Sequence, residues 1–250
     1  MAEAAFNPLS QFEVTPLVPI KLGGFDASFT NSSLFMVLAV ASVTVFLVGG
    51  MSRRAMVPGR WQSLAELSYE LVANMVRDNV GQEGRRYFPF IFTLFMFIMF
   101  ANALGLLPFG LVGLHGFTVT SHIIVTFALA MVVFIGVTIV GIVKHGFRFF
   151  TFFVPRGVPL AMMPLLVPIE VLSYLARPVT LSLRLFANMM AGHTMLAVFG
   201  TFVVLLGVAG IAPFLTIVLL MALEVMIAML QAYVFTILNC LYLNDALHLH

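Results

Sequence analysis

Leu34 to Met51 runs without a single charge, and the chain repeats this at Phe88 to Leu107 and at His122 to Val143. Few folds can house such runs. A helix that is apolar on every face cannot lie against water, so it sits in lipid or deep inside a core. The rest of the chain offers no polar shell. Of its 250 residues, 62% are hydrophobic and 9% charged, where soluble domains carry about 25% charged residues. The composition therefore predicts an all-α polytopic membrane protein, a single membrane domain over residues 1–250. A net charge of +2 with no basic tract argues against nucleic acid as a partner. The lone cysteine, Cys240, excludes an internal disulfide. The start Met1 to Phe6 lacks the basic and apolar regions of a cleaved signal peptide, so none is expected.

Residues 1–33, with Pro8, Pro16, Pro19 and Gly23-Gly24, read as an irregular surface-lying arm. Residues 34–51 are the first expected span. Residues 61–80 differ in kind: Leu64, Leu67, Leu71 and Met75 recur at helical spacing, away from Glu66, Glu70, Arg77 and Asp78. This predicts an amphipathic helix on the membrane surface. Residues 88–107 and 122–143 are the second and third spans. Two longer apolar segments follow, 160–206 and 212–243, separated by the break Gly207 to Pro213. Arg53, Arg54, Arg60, Arg77, Arg85 and Arg86 fall between the first two spans, and Lys144, Arg148 and Arg156 follow the third. The loops near residues 110 and 210 carry no Lys or Arg. The positive-inside rule then gives five passes, with the N-terminus outside and the C-terminus cytoplasmic. Helices of about 50 Å and 45 Å, at 1.5 Å per residue, exceed the ~30 Å hydrocarbon layer. The last two passes are therefore expected to break or to form a long, strongly tilted antiparallel hairpin.

That hairpin carries the costly residues. Arg184 lies among Leu181, Leu183, Leu185 and Phe186, and a guanidinium cannot escape burial by losing its proton. A charge at the bilayer centre costs roughly 2.5–3.5 kcal/mol or more, so such a residue reads as functional, with an anionic partner nearby. On a helical wheel with Arg184 at zero, Ser173 and Arg177 fall within about 20°, and Glu170, Thr180 and Asn188 at about 40°. One face collects them. His193 falls at about 180°, on the opposite side. In the last helix Glu224, Gln231 and Tyr242 share a face, with the small Ala228 between them. Folding the two segments about the break matches His193 with Glu224 and Arg184 with Gln231 in depth. Both pairs can meet only if the helix bends near Gly192 or water bridges one pair.

The string Arg177-Pro178-Val179-Thr180-Leu181-Ser182-Leu183-Arg184-Leu185-Phe186-Ala187-Asn188-Met189-Met190-Ala191-Gly192-His193 resembles the signature of subunit a of F-type ATP synthases. Leu230-Gln231-Ala232-Tyr233-Val234-Phe235 resembles its second motif. Val57 to Gln62 and Asn102 to Pro108 resemble weaker ones, and the match runs in order from about Phe25 to Leu243. The resemblance implies a proton-translocating stator subunit. Arg184 would face the rotating c-ring of proteolipid subunits, with Asn188 and Gln231 beside it. Glu170 and Thr180 match positions on the cytoplasmic aqueous path. His193 and Glu224 match a pair on the outer path, in the His-then-Glu order of mitochondrial-type members. Asn31 departs from relatives that place an aspartate near the outer mouth. Further partners implied are b-type subunits of a peripheral stalk and membrane lipid. The implied location is a bacterial inner membrane, ahead of a mitochondrial one.

No Gly-x-x-x-x-Gly-Lys-Ser/Thr loop is present to cradle nucleotide phosphates, and no metal-ligand or Ser/His/Asp pattern is visible. No cofactor is expected, and any bond chemistry would fall to other subunits. A self-contained proton-coupled secondary transporter is the alternative, but such carriers show internal repeats around a midplane pocket, and no repeat is visible here. A passive assembly scaffold would not require Arg184.

Overall fold

The computed structural model describes residues 12–19, 21–22, 25–26, 28–52, 57–107, 118–154 and 162–248. It is all-α apart from four very short strands, and the protein is a polytopic membrane protein. Six helices follow in order: α1 Asn31–Met51, α2 Arg60–Val80, α3 Phe88–Leu106, α4 Ile123–His145, α5 Met163–Leu206 and α6 Ile211–Leu247. Among the described residues, four stretches are long and apolar enough to cross a membrane: Asn31–Met51, Phe88–Leu106, Ile123–Phe149 and Met163–Leu247. The last holds both arms of the C-terminal hairpin.

The arm expected to be irregular is partly ordered. Strand β1 (Pro16–Val18) pairs antiparallel with β4 (Phe29–Thr30), and β2 (Lys21–Leu22) with β3 (Phe25–Asp26). The chain doubles back and satisfies some of its backbone by itself. Asn31 fastens this arm: its side chain accepts from Thr15 N at 3.2 Å and donates to Glu13 O at 3.0 Å. Thr30 caps α1 by accepting from Ser33 N at 3.4 Å, so the helix starts three residues ahead of the apolar run. Arg53, Arg54, Arg156 and the glycine-rich loop 108–117 lie outside the described residues.

Helix α2 forms over the expected residues, but its apolar stripe divides. Ala65, Val72, Met75, Val76 and Val80 are buried against the bundle, while Leu64, Leu67 and Leu71 face outward, exposed. The wheel joined residues that the bundle separates, because α2 packs on α6, α1 and α3 along a neighbouring strip. The core is built mainly where α6 meets α3 and α5, and where α5 meets α4. Ile91, Met96, Ile98, Val133, Leu185 and Phe235 are its fully buried large side chains around this junction. Leucines and valines elsewhere on the helices are left outside, as expected where lipid is the solvent.

The hairpin is longer than the sequence suggested. Helix α5 has 44 residues and α6 has 37, roughly 66 Å and 55 Å. Neither breaks at a proline. Pro168 and Pro178 lie inside α5, and the helix continues through them and through Gly192. The hydroxyl of Thr180 donates to Ala176 O and Arg177 O, and that of Ser182 to Val179 O, adding bonds near the site where Pro178 removes one. The expected break shrinks to a 3₁₀ turn, Gly207–Gly210, and Pro213 sits in the first turn of α6, where a missing N–H costs nothing. At the other end, α6 runs past Leu243, the end of the expected apolar segment, to Leu247.

Candidate functional site

Gly192 and Glu224 show how the hairpin can hold a carboxylate at depth. A Cβ at Gly192 would lie 2.5 Å from Glu224 Oε1, so the bare glycine leaves the space that the carboxylate fills. Glu224 is 4% exposed, and neither of its oxygens has a hydrogen-bond partner among the described residues. Its near neighbour is His193 Nδ1, 3.6 Å from Oε1, a separation suited to an ion pair or a bridging water but longer than a direct hydrogen bond. The depth register expected from the turn therefore brings this pair together.

The far side of the His193 ring is occupied. Nε2 lies 2.7 Å from Thr118 Oγ1. Thr118 opens the 3₁₀ turn Val119–Ser121 that leads into α4. Thr120 Oγ1 donates to Asn102 Oδ1 at 2.8 Å, and Asn102 Nδ2 donates to Ala228 O at 3.3 Å, one helical turn from Glu224. Asn102 and Thr120 are fully buried. A Phe12 ring stands edge-on to His193, with centroids 6.5 Å apart, and His122 Nε2 donates to Phe12 O at 2.9 Å. The sequence singled out His193 and Glu224 but missed Thr118, Thr120 and Phe12. Asn102 stood inside a motif without a role. Short polar residues beside a loop carry no periodic signal, and only the fold brings them together.

Arg184 occupies a different face. Arg184, Asn188 and Thr180 are exposed, in line with Ala187 and Ala191, while Leu181, Leu185 and Met189 on the adjoining face are buried. Among the described residues Arg184 has no hydrogen bond or ion pair. The expected Arg184–Gln231 pair does not form. Gln231 is 3% exposed and shares the inward face of α6 with Glu224, Ala228 and Ala232, whereas Arg184 is exposed. Helix α5 runs unbroken through Gly192, and of the two expected pairs only His193 with Glu224 comes together.

Glu170 is half-buried one heptad before Arg177. The structure gives Arg177 another partner: its Nη1 donates to Asp245 Oδ2 at 3.1 Å, across the open ends of the hairpin. The guanidinium also stacks on Phe152, Tyr174 and Tyr242, 4.8 Å from the last ring centroid. Asp245 lies beyond the expected apolar segment 212–243, and the extra turn of α6 makes the contact. No group of three metal-ligating side chains gathers among the described residues.

The whole arrangement has two polar systems on opposite sides of one long helix. One is buried (Thr118, His193, Glu224), and the other is an uncovered cation on an apolar flank. Residues 33–244 match the family profile described as ATP synthase A chain. The chain is 55% identical to ATP synthase subunit a of Paramagnetospirillum magneticum, over 98% of its own length and 99% of that protein's. It is 57% identical to ATP synthase subunit a of Parvibaculum lavamentivorans, over 97% and 94%. Identity to ATP synthase subunit a of Rhodospirillum rubrum is 54%, over 98% and 99%.

Proposed function

Since the chain belongs to the ATP synthase A chain family, and so to the membrane part of an F-type ATP synthase, we propose that it is the stator along which protons reach and leave a rotating ring of carboxylate-bearing proteolipids. Two aqueous half-channels, offset laterally, approach mid-membrane from opposite sides. A proton enters from outside past Glu224 and His193 and neutralises a ring carboxylate. The neutral acid crosses lipid at far lower cost than its anion, so the ring can turn. After nearly a full turn the acid meets the inner path near Glu170 and Thr180 and releases its proton. Arg184 stands between the paths, with Asn188 beside it on the same exposed face. Its fixed charge favours the ionised acid and blocks direct leakage, and a lysine in its place could deprotonate. Each charge that crosses yields about 2.3 kcal/mol per 100 mV of membrane potential.

The observation that carries this reading is the exposed Arg184 on an apolar flank, without an anionic partner among the described residues. A permanent cation there requires a counter-charge from another chain. The basic loops are cytoplasmic in this proposal, the N-terminus is outside, and the hairpin supplies the fourth and fifth passes, steeply tilted to fit its length. b-type stalk subunits hold the stator against the ring's torque. The test is replacement of Arg184 in the whole complex. Arg184→Lys and Arg184→Ala should assemble yet make no ATP from an imposed proton gradient. Normal synthesis by either variant defeats the proposal.

A further inference from the structure

We infer that Thr118 is a positioning residue: its hydroxyl fixes the ring orientation and tautomer of His193, so that Nδ1–H is directed at Glu224. The inference rests on the proposed outer path for its meaning in proton transfer, but its geometric content stands separately. The imidazole has two nitrogens and each faces a defined group. Nε2 meets Thr118 Oγ1 at 2.7 Å, and Nδ1 meets Glu224 Oε1 at 3.6 Å. A neutral imidazole carries one N–H and one lone pair, so the bond at one nitrogen decides what the other presents. When Thr118 donates to Nε2, the proton resides on Nδ1 and points at the carboxylate. The opposite tautomer would turn a lone pair toward an ionised Glu224 and is disfavoured. A hydroxyl can also accept, so the same contact survives when both ring nitrogens carry protons.

The hydroxyl is placed by more than its own contact. Thr118 is 4% exposed. Its side chain lies directly over Gly105, where a Cβ would come within 2.5 Å of Oγ1 and 2.6 Å of Cγ2. Both branches of the threonine are thus seated against bare α3 backbone, which restricts rotation about χ1. The turn that bears Thr118 is tied to α3 through Thr120 and Asn102, and Asn102 bonds in turn to Ala228 O, one helical turn from Glu224 on α6. Ser121 Oγ closes the turn by donating to Thr118 O at 2.6 Å. One rigid unit therefore grips His193 through Thr118 and the Glu224 turn through Asn102, and it sets the spacing between the two.

The test uses the intact ATP synthase with ¹⁵N-labelled histidine, in liposomes. The His193 signal is identified by its loss in His193→Gln. Thr118→Val keeps the shape and removes the hydroxyl, and Thr118→Ser keeps the hydroxyl. The expected result is a changed His193 tautomer signal in Thr118→Val and a native one in Thr118→Ser. Proton-driven ATP synthesis should fall about tenfold in the valine variant, the equivalent of one lost hydrogen bond of about 1.4 kcal/mol, and recover largely in the serine variant. An unchanged His193 signal in Thr118→Val overturns the inference whatever the activity. A changed signal with undiminished synthesis upholds the positioning and defeats the outer path through His193.

Discussion

Gly192 is the residue on which the buried pair depends most directly. A methyl group there would stand 2.5 Å from a Glu224 oxygen, and the helix backbone on one side leaves the carboxylate to move. Gly192→Ala should therefore displace Glu224 from His193. We expect assembled complexes whose ATP-driven proton pumping in inverted vesicles is reduced, with overpacking strain on the order of 1–3 kcal/mol. Undiminished pumping would show that the close approach is unimportant. The pair itself predicts a rescue. His193→Glu and Glu224→His each place two like groups 3.6 Å apart, whereas the double exchange restores one acid and one imidazole. The double variant should pump better than either single one in the same vesicles. Equality among the three would mean that the two residues act independently.

At the scale of elements, the bundle is fastened at its loop ends by ion pairs whose effect can be titrated. Glu83, in the turn Gln82–Arg86 between α2 and α3, bonds to Lys144 at the end of α4. The hydrogen bond from Lys144, and then its positive charge, hold the Glu83 carboxyl below its ordinary value of 4.5. A depressed acid stabilises the fold at pH values above its unfolded pKa, and that contribution disappears as pH falls through the folded pKa. Glu83→Gln should therefore melt below the wild-type chain at neutral pH, and the gap should close in acid, below about pH 4.5. Because Glu83 is exposed, the gap should be small and should shrink in high salt. Thermal unfolding in detergent at several pH values measures it. A gap that persists unchanged in acid rules out the Lys144 pair as its source.

For the whole molecule, the main feature is a flank left exposed among the described residues. Leu183, Arg184, Ala187, Asn188 and Ala191 of α5 are exposed, and so are Leu223, Met226, Met229, Leu230 and Tyr233 of α6. Small residues beside the arginine allow another helix to approach closely. Cysteines introduced at Ala187, Ala191 or Leu230 should crosslink to the ring proteolipid in membranes. Cysteines at the buried Leu185 or Met189 should not, in complexes that assemble equally well. Crosslinks from the buried positions, or none from the exposed ones, would place the ring on another face.

Periodicity and apolar length determined the helices in the sequence: an all-α membrane protein, α2 to within a residue, three apolar helices to within a few, and a hairpin turning near residue 207. Such features depend on how side chains repeat along one helix, which the order of residues records. Depth also follows from counting along two antiparallel helices, so the register of His193 with Glu224 was legible. Azimuth is another matter. Which side of a helix faces its neighbour is decided by all the helices packed around it, and that choice sent Gln231 inward and left Arg184 outside. The same packing split the stripe of α2, and the extra turn of α6 carried Asp245 to Arg177. Thr118 gained its role only when α3, the turn before α4 and α5 met at one point, over a glycine that left room for it.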